Sequence, residues 1–141
     1  MYDCPPVKII ELAKSYGLNV FQVDYEKYPD VFGVLDYRNN DILINKDIDI
    51  AYKRFTIAFE IAIHVLYRNE FQKNVNISIC DKYTLSSKNK INIKCTKFAL
   101  KLLMPKDMFK EIKSLFYWKS TIAEIFCVNL AMVEKRNSYW F

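Results

Sequence analysis

The sequence predicts an α+β fold: a small antiparallel sheet packed on one central helix, with additional C-terminal helices. Three observations predict it. The stretch Arg54–Glu70 places Phe55, Ala58, Phe59, Ala62, Ile63 and Leu66 on the i, i+3, i+4, i+7 ladder of one helix face. Ile57, Ile61 and Val65 widen that face, so this helix is expected at the centre, buried on most sides. Upstream, Leu18–Lys46 is rich in β-branched and aromatic residues and is broken by turn-forming ones. Downstream of Asn92, apolar residues recur at helical spacing, interrupted only by Pro105.

Taken in order, Pro5 and Pro6 suit the first turn of a helix, where a missing N–H costs nothing. That helix is expected over Val7–Tyr16, with Ile9, Ile10, Leu12 and Ala13 inward, and Gly17 suits the positive φ that ends it. Leu18–Tyr25 reads as a strand. Phe32–Arg38 and Ile42–Lys46 read as a hairpin around Asn39-Asn40-Asp41, where Asn tolerates a left-handed turn. Asp47 or Asp49 is placed to cap the central helix, which runs over Ile50–Asn69. Val75–Cys80 is β-like and Tyr83–Lys90 polar, a surface strand or loop. Helices are expected over Asn92–Leu103, Asp107–Tyr117, Thr121–Cys127 capped by Ser120, and from Asn129 to about Lys135.

Composition narrows the function classes. The 141 residues suffice for one domain, 1–141, with a real core. At 52% hydrophobic and 16% aromatic, the chain is not a disordered one. No apolar run approaches the ~20 residues of a membrane span, and Met1-Tyr2-Asp3-Cys4 is no signal peptide, so a cytoplasmic location is expected. Cys4, Cys80, Cys95 and Cys127 lack CxxC spacing and are expected to be reduced thiols. The net charge of +5 permits an acidic partner or nucleic acid and demands neither.

Two stretches carry a resemblance. Arg54–Ala58 reads R-F-T-I-A, and Phe98–Pro105 reads F-A-L-K-L-L-M-P. Both resemble the ImmA/IrrE family of zinc metallopeptidases, whose central zincin-type helix carries His-Glu-x-x-His. Two histidines four apart on one helix face reach one Zn²⁺. By this resemblance Glu60 falls on the catalytic glutamate and Phe59 and Ile63 on the two histidine ligands. The third, acidic ligand corresponds to Asn92 or Lys94. None of these four replaces its family ligand. His64, the chain's only histidine, comes one residue late, turned by about 100° around the helix axis. Large apolar side chains at positions 59 and 63 would close the pocket, each buried one contributing ~1.5–3 kcal/mol.

Glu60 and His64 lie one turn apart on one ridge. They read either as an i, i+4 hydrogen bond or ion pair, or as a relic acid/base pair or the start of a displaced metal site completed by Cys80 or Cys95. The resemblance therefore implies a catalytically inactive pseudo-peptidase without cofactor, acting as a regulatory or protein-binding module of a bacterium or its mobile elements. Its partner would be a repressor or a toxin/antitoxin component. The alternative is an active metallopeptidase that cleaves a regulator, with zinc in a rebuilt site around Glu60 and His64. A partner peptide is expected along the strand carrying Ile42 and Ile44, read as a sheet edge. The last two helices have a helix-turn-helix look. The second offers Leu130, Ala131, Met132 and Val133 before Lys135 and Arg136, which is too apolar for a DNA groove and argues against nucleic acid. The tail Tyr139-Trp140-Phe141 either docks on the body or forms an apolar patch.

Overall fold

The expected central helix is α2, Ile50–Asn74, 25 residues long. The computed structural model describes residues 6–74 and 76–139. Every residue of α2 from Arg54 to Ile63 is buried, so this segment is enclosed all round. Val65, expected to widen the apolar face, is exposed. The Asp49 carbonyl accepts the Lys53 N–H, which makes Asp49 the residue at the helix entrance.

The preceding elements are α1 (Ile9–Ser15), β1 (Asn19–Val23), β2 (Val31–Asp36) and β3 (Asp41–Asn45). Pro5 lies outside the described residues. Gly17 follows α1 at φ 78° and Asn40 turns β2 into β3 at φ 57°, both as their residue types predict. β4 (Ile77–Asp81) matches the β-like piece after α2, and a 3₁₀ turn, Thr84–Ser86, follows in the polar stretch.

The fold is α+β, and the sheet order is β1-β3-β2-β4. Here the structure corrects the sequence reading twice. The sheet is mixed, because β3 of the hairpin, not β2, lies against β1 and runs parallel to it. β2 pairs antiparallel with β4 instead. The strand carrying Ile42 and Ile44 is therefore interior, not an edge, and both side chains are fully buried. The edges are β1 and β4.

Helix α2 lies very close to the sheet. A Cβ on Gly33 would stand 2.8 Å from Thr56 Cγ2 and 2.9 Å from the Leu43 carbonyl oxygen. Only glycine lets the two layers meet there.

On α2 also packs α3 (Lys90–Leu103), through Cys95, Thr96, Ala99, Leu100 and Leu103. The Asn89 side chain caps it, accepting the Ile91 and Asn92 N–H groups. Then come α4 (Lys106–Leu115), α5 (Lys119–Phe126) and α6 (Leu130–Asn137). Asn129 caps α6 as expected, its Oδ1 accepting the Met132 N–H at 2.9 Å. Ser120 does not cap α5. The helix starts one residue before it, with Trp118 at the cap position making no side-chain bond. Arg136 is buried: its Nε donates to the Met104 carbonyl and its guanidinium lies 4.9 Å from the Phe109 ring centre. Trp140 and Phe141 lie outside the described residues, and Tyr139 is half-buried. No helix of the described residues is long and apolar enough to cross a membrane.

Candidate functional site

The site is built around the middle of α2. Arg54, buried one turn inside the helix, donates to the Val7 carbonyl at 2.9 Å and reaches the Phe126 carbonyl at 3.5 Å. It ties the start of the helix to both ends of the chain. The close approach at Gly33 then presses the next turns of α2 onto β2 and β4.

Glu60 sits in that contact and is fully buried. Ser78 of β4 donates its hydroxyl to Oε1 at 2.7 Å, and the Leu35 backbone N–H also bonds the carboxyl. Oε2 is buried and has no hydrogen-bond partner among the described residues. Burial raises the Glu60 pKa well above its ordinary 4.5, and the Ser78 and Leu35 bonds offset this only in part. The carboxyl is thus held away from solvent, with its protonated form favoured. Its charged form would in turn oppose ionisation of its neighbours. Burial first, then Glu60, pushes the Tyr25 phenol and the Cys95 thiol each up to about 12, and Tyr37 and Cys80 are raised by the same two causes. These thiols stay protonated and unreactive.

Phe59 and Ile63 are each 1% exposed and belong to the hydrophobic core. The Phe59 ring stands 6.0 Å from that of Phe55. Polar imidazoles at these two positions would enter a space already filled by carbon.

His64 points elsewhere. Arg68 donates Nη1–H to His64 Nδ1 at 2.7 Å, which leaves the imidazole proton on Nε2. The other Arg68 nitrogen, Nη2, donates to Asn40 Oδ1 at 2.7 Å, and the guanidinium lies 5.5 Å from the Tyr37 ring centre. The Tyr16 ring meets His64 edge-on at 6.3 Å. Burial, then the Arg68 charge, lowers the His64 pKa below 6.5. The expected Glu60–His64 pair is not formed: Glu60 bonds to β4, and His64 bonds to Arg68, which reaches the β2–β3 turn.

Of the remaining expected site residues, Asn92 donates its amide to Ser87 Oγ at 3.0 Å, and Lys94 lies over the Tyr67 ring. Ile42 and Ile44 are core residues of β3. Sequence reasoning missed Ser78, because β4 inverts the usual strand pattern. Its apolar Ile77 and Ile79 face out, while Ser78 and Cys80 face α2. Hydrophobic alternation alone assigns those faces the other way round. Asn40 was missed for want of any local signal linking it to Arg68, 28 positions away, whereas Arg68 follows His64 by four residues on α2, a helical spacing that could have paired them.

A family model, the IrrE N-terminal-like domain, matches residues 13–138. The chain belongs to this family. A solved structure of a Mycobacterium tuberculosis transcriptional regulator shares the fold, with a TM-score of 0.66 at 15% identity, over 93% of this chain and 40% of that one. The chain thus spans less than half the length of that regulator. No curated protein matches the sequence.

As an IrrE N-terminal-like domain, the chain implies a zinc held by three donors. Its residues do not fit that ion. Phe59 and Ile63 have no lone pair to give, Asn92 is turned to Ser87, and Lys94 is a cation. Among the described residues, no three of His, Cys, Asp and Glu stand where they could share a metal.

Proposed function

We propose that this IrrE N-terminal-like domain is a catalytically inactive pseudo-peptidase that serves as a regulatory, protein-binding module. The observation that carries the reading is the pair Phe59 and Ile63, both core residues at the helix positions where the family needs metal ligands. Glu60 supports it: a carboxyl with no solvent exposure, bonded to Ser78, reaches neither a water nor a peptide carbonyl. A rebuilt zinc site would require Glu60 and His64 to converge, and they bond to different partners. The fold shared with a transcriptional regulator is in keeping with a regulatory role.

The partner on this reading is a protein, a repressor or a toxin/antitoxin component, bound as an extended segment. With β3 interior, the edge that serves is β4, which pairs on one side only among the described residues and carries Ser78 beside Glu60. DNA is disfavoured by the commitment of both basic residues of α6. Arg136 is buried, and Lys135 donates to the Leu85 carbonyl.

Elemental analysis of protein purified without a His tag tests the reading. The expected zinc content is far below one per chain, and the pair Phe59→His/Ile63→His stays metal-free because the third donor is absent. About one zinc per wild-type chain, or zinc-dependent cleavage of a regulator by it, overturns the proposal.

A further inference from the structure

The link between α4 and α5 is an apolar corner turned to solvent. Leu115, Tyr117 and Trp118 are 66%, 88% and 69% exposed. Tyr117 and Trp118 brace each other edge to face, with ring centres 5.1 Å apart and planes at 88°. Beneath them lie two adjoining clefts that share Tyr117 and Lys119. The smaller, about 120 Å³, has Phe109, Ile122 and Val133 in its wall and Lys113 and Lys119 beside them. The larger, about 520 Å³, is lined by Trp118 and the exposed Leu130 together with Lys119 and Glu134.

Rings so exposed contribute little to folding, and clustered apolar surface beside a cleft marks an interaction site. Charge decides the occupant. Both lysines of the smaller cleft lack a carboxylate partner among the described residues. Lys113 is nevertheless held in place, donating to Asn137 Oδ1 and lying 5.5 Å from the Phe109 ring centre. A second copy docked face to face would bring together four lysines and two glutamates, Lys113, Lys119 and Glu134 from each side, and leave an excess of positive charge. A nucleic-acid strand would stack on the rings, but the walls formed by Phe109, Ile122 and Val133 give anchors to apolar side chains and no polar partner to a sugar-phosphate chain.

We propose that this corner docks an amphipathic segment of a partner protein, with apolar anchors in the clefts and carboxylates meeting Lys113 and Lys119. The surface is independent of the β4 edge and of the fate of the zinc site.

The test uses the full chain carrying Trp140→Phe, which leaves Trp118 as the only tryptophan. The probes are a synthetic helical peptide with Leu and Phe anchors flanked by Glu, a twin with every Glu changed to Lys, and an oligothymidylate. Trp118 fluorescence is titrated with each. The acidic peptide is expected to bind about tenfold tighter than its twin, and more weakly at high salt. Tyr117→Ala is expected to weaken it about tenfold, and Lys119→Glu to bring the two peptides level or reverse them. Circular dichroism and thermal melting confirm that both variants fold. Equal binding of the twins, binding of the oligothymidylate instead, failure of both peptides, or self-association that Trp118→Ala abolishes in sedimentation overturns the proposal.

Discussion

The middle of α2 and the corner between α4 and α5 treat water in opposite ways. At the first, a carboxyl group is fully buried under a sheet; at the second, two aromatic rings stand largely in solvent. Neither follows from residue type. The Glu60 carboxyl stays buried because Ser78 and the Leu35 N–H meet it and because its pKa rises instead of its charge being kept. The rings of Tyr117 and Trp118 stand in the short link between α4, which ends at Leu115, and α5, which begins at Lys119, and pack edge to face on each other. The difference teaches where each site's constraint lies. The middle of α2 is fixed by the fold's own packing, whereas among the described residues the rings of the corner are braced edge to face by each other and stand largely in solvent.

The largest test of that contrast is a pair of truncations. Phe59→Ala is expected to cost about 3–5 kcal/mol in denaturant unfolding, the usual range for an aromatic ring removed from a packed core. Trp118→Ala is expected to stay within about 0.5 kcal/mol. A Trp118 variant as unstable as the Phe59 one would make the corner a structural element.

Next in size is the pH dependence of Glu60. Its folded pKa lies above its ordinary 4.5, so the folded chain keeps a proton that the unfolded chain releases. This contribution is fully present below pH 4.5 and is lost as pH rises toward the folded pKa, with a slope of at most about 1.4 kcal/mol per pH unit. Glu60→Gln is expected to remove that decline. Unfolding curves that fall in parallel for both proteins above pH 4.5 would show that the carboxyl is not the cause.

The smallest effect is at His64, which is only partly buried. Its pKa is lowered, so the sign reverses: stability is present above pH 6.5 and is lost as pH falls, when a second charge forms beside Arg68. His64→Gln keeps an acceptor for Arg68 and is expected to flatten the acid limb slightly. An unchanged limb would assign it to other groups.

Much of the fold was legible in the sequence because its signals are local. The apolar ladder of α2, the left-handed turns at Gly17 and Asn40, and the Asn129 cap each depend on residues a few positions apart. The strand order was not legible, since pairing joins β1 to β3 and β2 to β4 across long separations, and an apolar strand such as Ile42-Leu43-Ile44 does not announce its neighbours. For the site, the apolar residues at 59 and 63 were legible as replaced ligands through the family resemblance, since their spacing by itself shows only an apolar helix face. Where Glu60 and His64 turn was not, because Ser78, which bonds Glu60, and Asn40, which holds the Arg68 bonded to His64, come from other elements. The burial of Arg136 was not legible for a related reason: a helix pattern gives the spacing of a charge but not the Met104 carbonyl that accepts from it.

The ladder between β2 and β4 is broken by a register shift between Val31 and Gly33. Such an irregularity bends and twists a strand pair locally. In a concentrated solution, an open strand edge with Ile77 and Ile79 on its outer face is a template on which further chains can stack into fibres. The shift near one end of β4, followed by the Lys82–Asp30 ion pair, keeps that edge from lying flat against a copy of itself. The same few residues thus work against indiscriminate growth of the sheet along its five-residue β4 strand.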